Sequence, residues 1–391
     1  MRFRTIEKTM CVLAFTTSAM ALDVTVVTLE GDEKGGALSG LNENEVKVGD
    51  ASIPLKNIAE ISVAARPAPS ASTTLYLRNN DVIRNVKILQ GDDTKLKFSS
   101  DAFGEQSLDN KYIRAIAFAI KDGPNADAID SFVTAAPPKE DLLLMPKGDT
   151  VSGFFEKFTD KDVSFNAGGQ SRAYSFEQVA AFRLAPLDEL KPREGFLATI
   201  ELREGSTVTG KLTGLAEDAL KFEILNGQAV SVKTEALSSI KFKGGKLVYL
   251  SDLSPSSVDE KPYVGGAPMV YRWRKDKSAA AGKLALGSKE YARGIGVHSY
   301  SKLTYALDGG YEKFFCDVGI DALVSSGECS WRVMVDGREA AAGSAKAGDK
   351  PQILKIDVKN AKQLELICDY GADENDAGDH LNWANARLIK P

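Results

Sequence analysis

One small pattern recurs four times between residues 22 and 245 and limits what this chain can fold into. It is clearest in Ile200-Glu201-Leu202-Arg203-Glu204-Gly205-Ser206-Thr207-Val208-Thr209-Gly210-Lys211-Leu212. Apolar and polar residues alternate there with a period of two, and a Glu-Gly step interrupts them, which marks a hairpin. Leu220-Lys221-Phe222-Glu223-Ile224 supplies a third strand. Asn226-Gly227 turns the chain into Val230-Ser231-Val232, and Ile240-Lys241-Phe242 closes the unit. The first copy keeps this order from Gly36-Ala37-Leu38-Ser39-Gly40-Leu41 to the apolar run at 58–63. The third runs from 142–145 through Val151-Ser152-Gly153-Phe154 to 179–184. The second is more diverged, and Asn85 stands where the other copies have glycine. Five short strands in about 45 residues suit a small antiparallel barrel. The expected units are 22–64, 72–119, 140–185 and 196–245. Between them, Pro- and Ala-containing stretches (65–70, 122–140 and 185–194) read as semi-stiff spacers.

The repeats resemble the SH3-like or Sm-like barrels of exported bacterial proteins, a likeness of fold that carries no activity. This half holds no histidine or tryptophan, and no cysteine after residue 21. Its acids and lysines alternate along strands as solvent-facing residues do. The role that remains is spacing, or protein contact through strand edges and loops. The formal charge of the whole chain is −5. That argues against a nucleic-acid partner, which requires a basic face.

The first 21 residues read as a cleaved signal peptide. Arg2, Arg4 and Lys8 lead a short apolar run from Met10 to Phe15, and Ala19-Met20-Ala21 has the shape of a cleavage site. The alternatives are a buried first strand and a membrane anchor. The apolar run is too short to span a bilayer, and a strand does not require the basic lead. Cys11 falls within this segment, and Thr9-Met10 before it does not look like an acylation site. The expected location is secreted or periplasmic, with no membrane span.

From about residue 247 the texture changes to longer strands with turns every 8–15 residues, as in a β-sandwich or jelly roll. Two segments concentrate the rare polar aromatics. One is Ala292-Arg293-Gly294-Ile295-Gly296-Val297-His298-Ser299, and the other is Asp379-His380-Leu381-Asn382-Trp383-Ala384-Asn385-Ala386. They contain both histidines of the chain and one of its three tryptophans. Sugar recognition calls for an aromatic plane against a ring's C–H face and forked polar groups for its hydroxyls. His298, Asp379, His380 and Trp383 are therefore the candidate binding residues. In this scheme Trp383 stacks on a ring, Asp379 accepts from hydroxyls, and a neutral imidazole donates and accepts at once. The competing reading makes Trp383 a core residue of an alternating last strand and His298 a strand-end residue bonded to backbone. Trp331 and Trp273 read as packing residues.

Cys316, Cys329 and Cys368 lie in apolar strand contexts, so burial as small hydrophobes competes with a single disulfide. Their spacing does not make a zinc site. The loop from Asp369 to Asp379 is rich in carboxylates. Calcium is a possible occupant, but the spacing lacks the regular ligand positions of an EF-hand loop, and a solvated acidic loop is the default. No catalytic residues and no other cofactor are expected.

Residues 247–391 resemble the NPCBM family, also classed as the family 51 carbohydrate-binding modules. The motifs that carry the likeness appear in order: Tyr249-Leu250-Ser251-Asp252, Gly294-Ile295-Gly296-Val297-His298, Val318-Gly319-Ile320-Asp321, Val335-Asp336-Gly337, and Asp379-His380 with Trp383-Ala384. Asn382 and Asn385 depart from the family, in which aspartate is common around the tryptophan. The resemblance implies a galactose-binding-like jelly roll with a sugar site in loops at one end. The expected architecture is thus mainly β, with tandem SH3-like or Sm-like barrels followed by a jelly-roll sandwich. The expected function is non-catalytic binding of glycans, with galactose-type sugars as candidates, displayed on a barrel stalk that offers a possible protein contact. The alternative is an envelope adaptor with no sugar ligand, which packed and inaccessible Trp383 and His298 would favour. A glycosidase is disfavoured because no segment supplies two carboxylates flanking a cleft.

Overall fold

The computed structural model describes residues 22–63, 72–120, 123–191, 193–216, 218–266, 268 and 271–391. The expected signal peptide with Cys11, and the spacer at 65–70, lie outside the described residues. The protein is mainly β, as the alternating patterns required.

Each N-terminal repeat folds in the same order. In the first, the strands Asp23–Thr28, Glu33–Leu41, Glu45–Val48 and Ala51–Pro54 are followed by a 3-10 turn, Leu55–Asn57, and the strand Ile58–Val63. That last strand returns to the first, pairing Ile61 with Val26. The fourth repeat matches it from Leu197–Leu202 through Thr207–Ala216, Ala219–Glu223, Ala229–Lys233 and a 3-10 turn to Leu237–Lys243. The second strand of each unit bends sharply across the third, and Gly210 shows why glycine stands at the bend. A Cβ there would lie 2.1 Å from the carbonyl oxygen of Glu223. In the diverged second unit the chain solves the same problem differently. Its second strand is broken into Val82–Ile83 and Val86–Gly91, and Asn85 between them adopts φ +54°, a left-handed conformation that Asn tolerates better than most residues.

The repeats do not close into barrels, which corrects the expected barrel units. Each unit's closing strand pairs with its own first strand along one edge and with a neighbour's closing strand along the other. Ile58–Val63 pairs with Leu237–Lys243, setting Ile61 against Ile240. Ile113–Ala117 pairs with Ala181–Arg183, setting Ile116 against Phe182. A single pair at Thr207–Val82 links the fourth repeat to the second, and Phe158–Gly91 adds a contact between the third and the second. The outcome is one continuous 21-stranded sheet over one shared core. The repeats pack side by side in this array. Val26, Leu75, Phe182 and Leu202 in that core are fully buried.

The C-terminal region is a sandwich. One sheet runs Arg274–Lys275, Gly294–His298, His380–Ile389, Lys313–Ile320, Gln352–Asp357, with Leu247–Tyr249 also beside His380–Ile389. The other runs Ser257–Glu260, Ser301–Ala306, Gln363–Tyr370, Glu328–Val335, Arg338–Lys346. Their inner faces interdigitate around Tyr305, Phe314, Leu366 and the edge-to-face pair Trp331–Trp383, whose centroids are 6.0 Å apart. Cys316, Cys329 and Cys368 are free thiols buried in this core, and burial pushes the thiols of Cys316 and Cys368 well up. The first hairpin of the array docks on the sandwich. Leu29 packs with Leu247, Phe315 and Ile389. The Arg387 Nε donates to the Leu29 carbonyl at 3.1 Å, and Glu30 binds Lys313 at 3.0 Å and Lys355 at 2.6 Å.

Candidate functional site

The strand Gly294–His298 runs antiparallel to His380–Ile389 in a register that sets His298 directly opposite His380. The two rare histidines thus meet at one end of the sandwich, with ring centroids 5.0 Å apart. Tyr271, from the long connection after Ser257–Glu260, covers both rings. Its centroid is 4.5 Å from His380, edge-on, and 5.0 Å from His298. The three rings border a cavity of about 390 Å³ completed by Tyr263, Val264, Asp376 and Gly378, among others. Gly378 is required where it stands, since its φ is +82° and a Cβ would lie 2.3 Å from the Ser326 carbonyl oxygen. The tight crossing brings the acidic loop against the histidines.

Both imidazoles are 6% exposed. Burial pushes their pKa values below the usual histidine range, while the Asp376 carboxylate, 3.6 Å from the His298 Nε2, pulls His298 the other way. Each Nδ1 is buried without a partner among the described residues. A buried nitrogen with no acceptor facing it favours the neutral ring, which donates at one nitrogen and accepts at the other.

The other two candidates lie elsewhere. Asp379 is fully buried. Its Oδ2 accepts from the Ser299 hydroxyl at 2.5 Å and its Oδ1 from the Glu328 N–H at 3.0 Å. Both oxygens are used in tying the acidic loop to two strands, so the expected role as a hydroxyl acceptor is corrected to one of holding the loop. Burial raises its carboxyl to about 6, against the lowering by Ser299 and Glu328. Trp383 is likewise corrected from ring-stacking to core, because it has no exposed surface and packs on Trp331. Asn382 is fully buried, with its Nδ2 3.3 Å from the Ala285 carbonyl, and neither it nor Asn385 lines the cavity.

The aromatic planes of the pocket are Tyr271 and Tyr263, the latter 48% exposed. Sequence reading passed over both, because residues 261–273 have no strand periodicity to mark them, and it placed Asp376 only within a solvated acidic loop. The signal present was composition, with two tyrosines and two prolines close together in an irregular stretch. Among the described residues, no group of three or more His, Cys, Asp or Glu side chains is placed to hold a metal ion. In the acidic loop, Asp369 pairs with Arg332 and Asp376 with His298.

Residues 246–389 match the family model described as NPCBM/NEW2 domain. This part of the chain is an NPCBM/NEW2 domain. Three solved structures are similar. A family 51 module from a Clostridium perfringens glycoside hydrolase of family 95, solved with methyl-galactose, is 25% identical. That match covers 37% of this chain and 99% of the module, with a TM-score of 0.33. A second C. perfringens structure, a family 51 module and INT domains from ZmpB solved with GlcNAc, is 24% identical. It covers 52% of this chain and 39% of that one, with a TM-score of 0.33. Tandem family 51 modules of a Streptococcus pneumoniae family 98 glycoside hydrolase are 14% identical over 69% of this chain and 92% of theirs, with a TM-score of 0.32. No curated relative matches the chain. Among the described residues, no helix is long and apolar enough to cross a membrane.

Proposed function

We propose that this protein is a non-catalytic glycan-binding protein whose NPCBM/NEW2 domain takes a neutral sugar between His298, His380 and the Tyr271 and Tyr263 rings. The observation that carries the reading is one cavity of about 390 Å³ bordered by two imidazoles, one carboxylate and two phenol rings. That volume lies within the range of small-ligand pockets. Tyrosine faces suit the apolar side of a sugar ring, and neutral imidazoles with Asp376 suit its hydroxyls. Galactose-type sugars remain the first candidates. A single carboxylate in the pocket fits binding better than glycoside hydrolysis, which uses two. Export by the N-terminal segment, to a secreted or periplasmic location, belongs to the same reading. So does a protein contact through the repeat array. The buried Trp383 and nearly buried His298 are what the adaptor alternative calls for, while the cavity that both imidazoles line favours a ligand.

The test is a glycan array followed by calorimetric titration of the full mature chain, with galactose- and GlcNAc-terminated oligosaccharides. We expect selective binding that His380→Ala and Tyr271→Ala each weaken about tenfold or more, in the range of one lost ring or hydrogen-bond contact, while circular dichroism shows the fold retained. A well-folded protein that binds no glycan on the array overturns the proposal. So does binding that survives both substitutions.

A further inference from the structure

The N-terminal array carries a second concave surface. Where the second and fourth repeats join, a cleft of about 290 Å³ is bordered by Arg78, Asn79, Lys191, Arg193, Thr209 and Lys243, with a few apolar neighbours. Four of its described lining residues are cations and none is a carboxylate. The four are not equivalent. Arg193 is a fixed wall, because it donates to the carbonyls of Glu223 and Ile224 and pairs with the Glu223 carboxylate. Arg78 spends one nitrogen on the Lys111 carbonyl at 3.1 Å. Lys191 and Lys243 are exposed and make no hydrogen bond or ion pair among the described residues. The carboxylate that feels Lys243 is Asp81, which is buried and accepts from the Asn79 Nδ2 at 2.7 Å.

Two further depressions adjoin the cleft, one of about 340 Å³ that shares Arg193 and Leu197 with it and an open one of about 680 Å³ that shares Lys191 and Arg193. These ends differ from the cleft itself. Phe196 with Glu43, Glu194 and Lys211 line the first, and Tyr112 with Lys111, Asp188 and Glu189 line the other.

We propose that this groove binds an acidic saccharide, with the carboxylate or sulfate of one sugar held at Lys191, Lys243 and Arg78 and neutral sugars on either side. Unpaired ammonium groups and a guanidinium make strong charge-assisted bonds to an oxyanion. Asn79 and Thr209 are held by Asp81 and Thr199 and fix the cleft wall, and the aromatic residues at both ends match sugar faces. A uniformly acidic peptide fits worse, because the ends offer mixed charge and aromatic rings, not a continued row of cations.

The experiment is calorimetric titration of the full mature chain with a hyaluronan hexasaccharide, which alternates uronic acid and neutral amino sugar. Chitohexaose and hexaglutamate serve as the neutral and peptidic comparators. We expect the hyaluronan fragment to bind, and to bind more weakly as salt rises from about 50 to about 500 mM, since exposed charges are screened. Lys191→Gln with Lys243→Gln should reduce its affinity about tenfold or more. Both lysines are exposed, so the fold should persist, and thermal melting checks it. His380→Ala should leave this binding unchanged, which separates the groove from the histidine pocket. Absent binding, binding indifferent to the double substitution, or equal affinity for hexaglutamate overturns the proposal.

Discussion

Asp379 shows how a residue can resemble a ligand-binding group and serve the fold instead. Its carboxyl titrates at about 6 in the structure, against about 4 in an unfolded chain. The folded state therefore holds the proton more tightly. Through this group the fold is stabilised as pH falls from 6 toward 4, and that stabilisation is lost as pH rises through 6. The histidines act in the opposite sense. Their pKa values are lowered by burial, so the unfolded chain takes up protons first, and stability falls as pH drops below about 6.5. Asp379→Asn isolates the carboxylate. Its stability relative to the parent should rise by on the order of 3 kcal/mol between pH 4 and pH 8, from about 1.4 kcal/mol per pKa unit. Urea unfolding across that range measures it, and a difference constant with pH would refute the assignment. The pairing of His298 with His380 was legible in the sequence, because two rare residues stood in motifs that had to meet. The fate of Trp383 was not. Alternation marks two faces of a strand, but only packing against Trp331 decides that this face is sealed.

At the level of elements, the repeat was written in period-two alternation and glycine turns, and every copy folds in the predicted strand order. What alternation hid was the use of the closing strands. Ile113–Ala117 and Ala181–Arg183 are almost wholly buried, as strands covered on both faces are. Their runs of alanine and large apolar residues were the available sign that they pair with a neighbour. Glycine at the bend is a stronger constraint than propensity alone suggests. Gly210→Ala places a methyl 2.1 Å from the Glu223 oxygen and 2.9 Å from the Phe222 ring. It should destabilise the array by about 1–3 kcal/mol, the range for overpacking. Asn85→Gly, at φ +54°, should be tolerated. Denaturant midpoints report both, and an unchanged midpoint for Gly210→Ala would sink the account of the bend.

Across the whole molecule, the array and the sandwich meet through the hairpin that carries Leu29 and Glu30. The two lysines beside Glu30, Lys355 foremost through its hydrogen bond, hold that carboxyl below its usual range, and Leu29 fills an apolar pocket beneath it. Leu29→Asp combined with Glu30→Lys buries a charge and sets like charges together. Calorimetry should show one transition for the parent and two for this variant. A variant that still melts in one step would mean that the contact does not couple the two parts. The sequence by itself determined the strand content, the repeat order, the sandwich and the histidine pair, because each is encoded in local periodicity or in rare residues at fixed motifs. Only the tertiary structure decided that the repeats fuse into one sheet, that Tyr263 and Tyr271 and not Trp383 face the pocket, and that cations from two repeats share a cleft. Those outcomes depend on which edges pair and which faces are sealed, and such long-range choices leave no periodic trace along the chain.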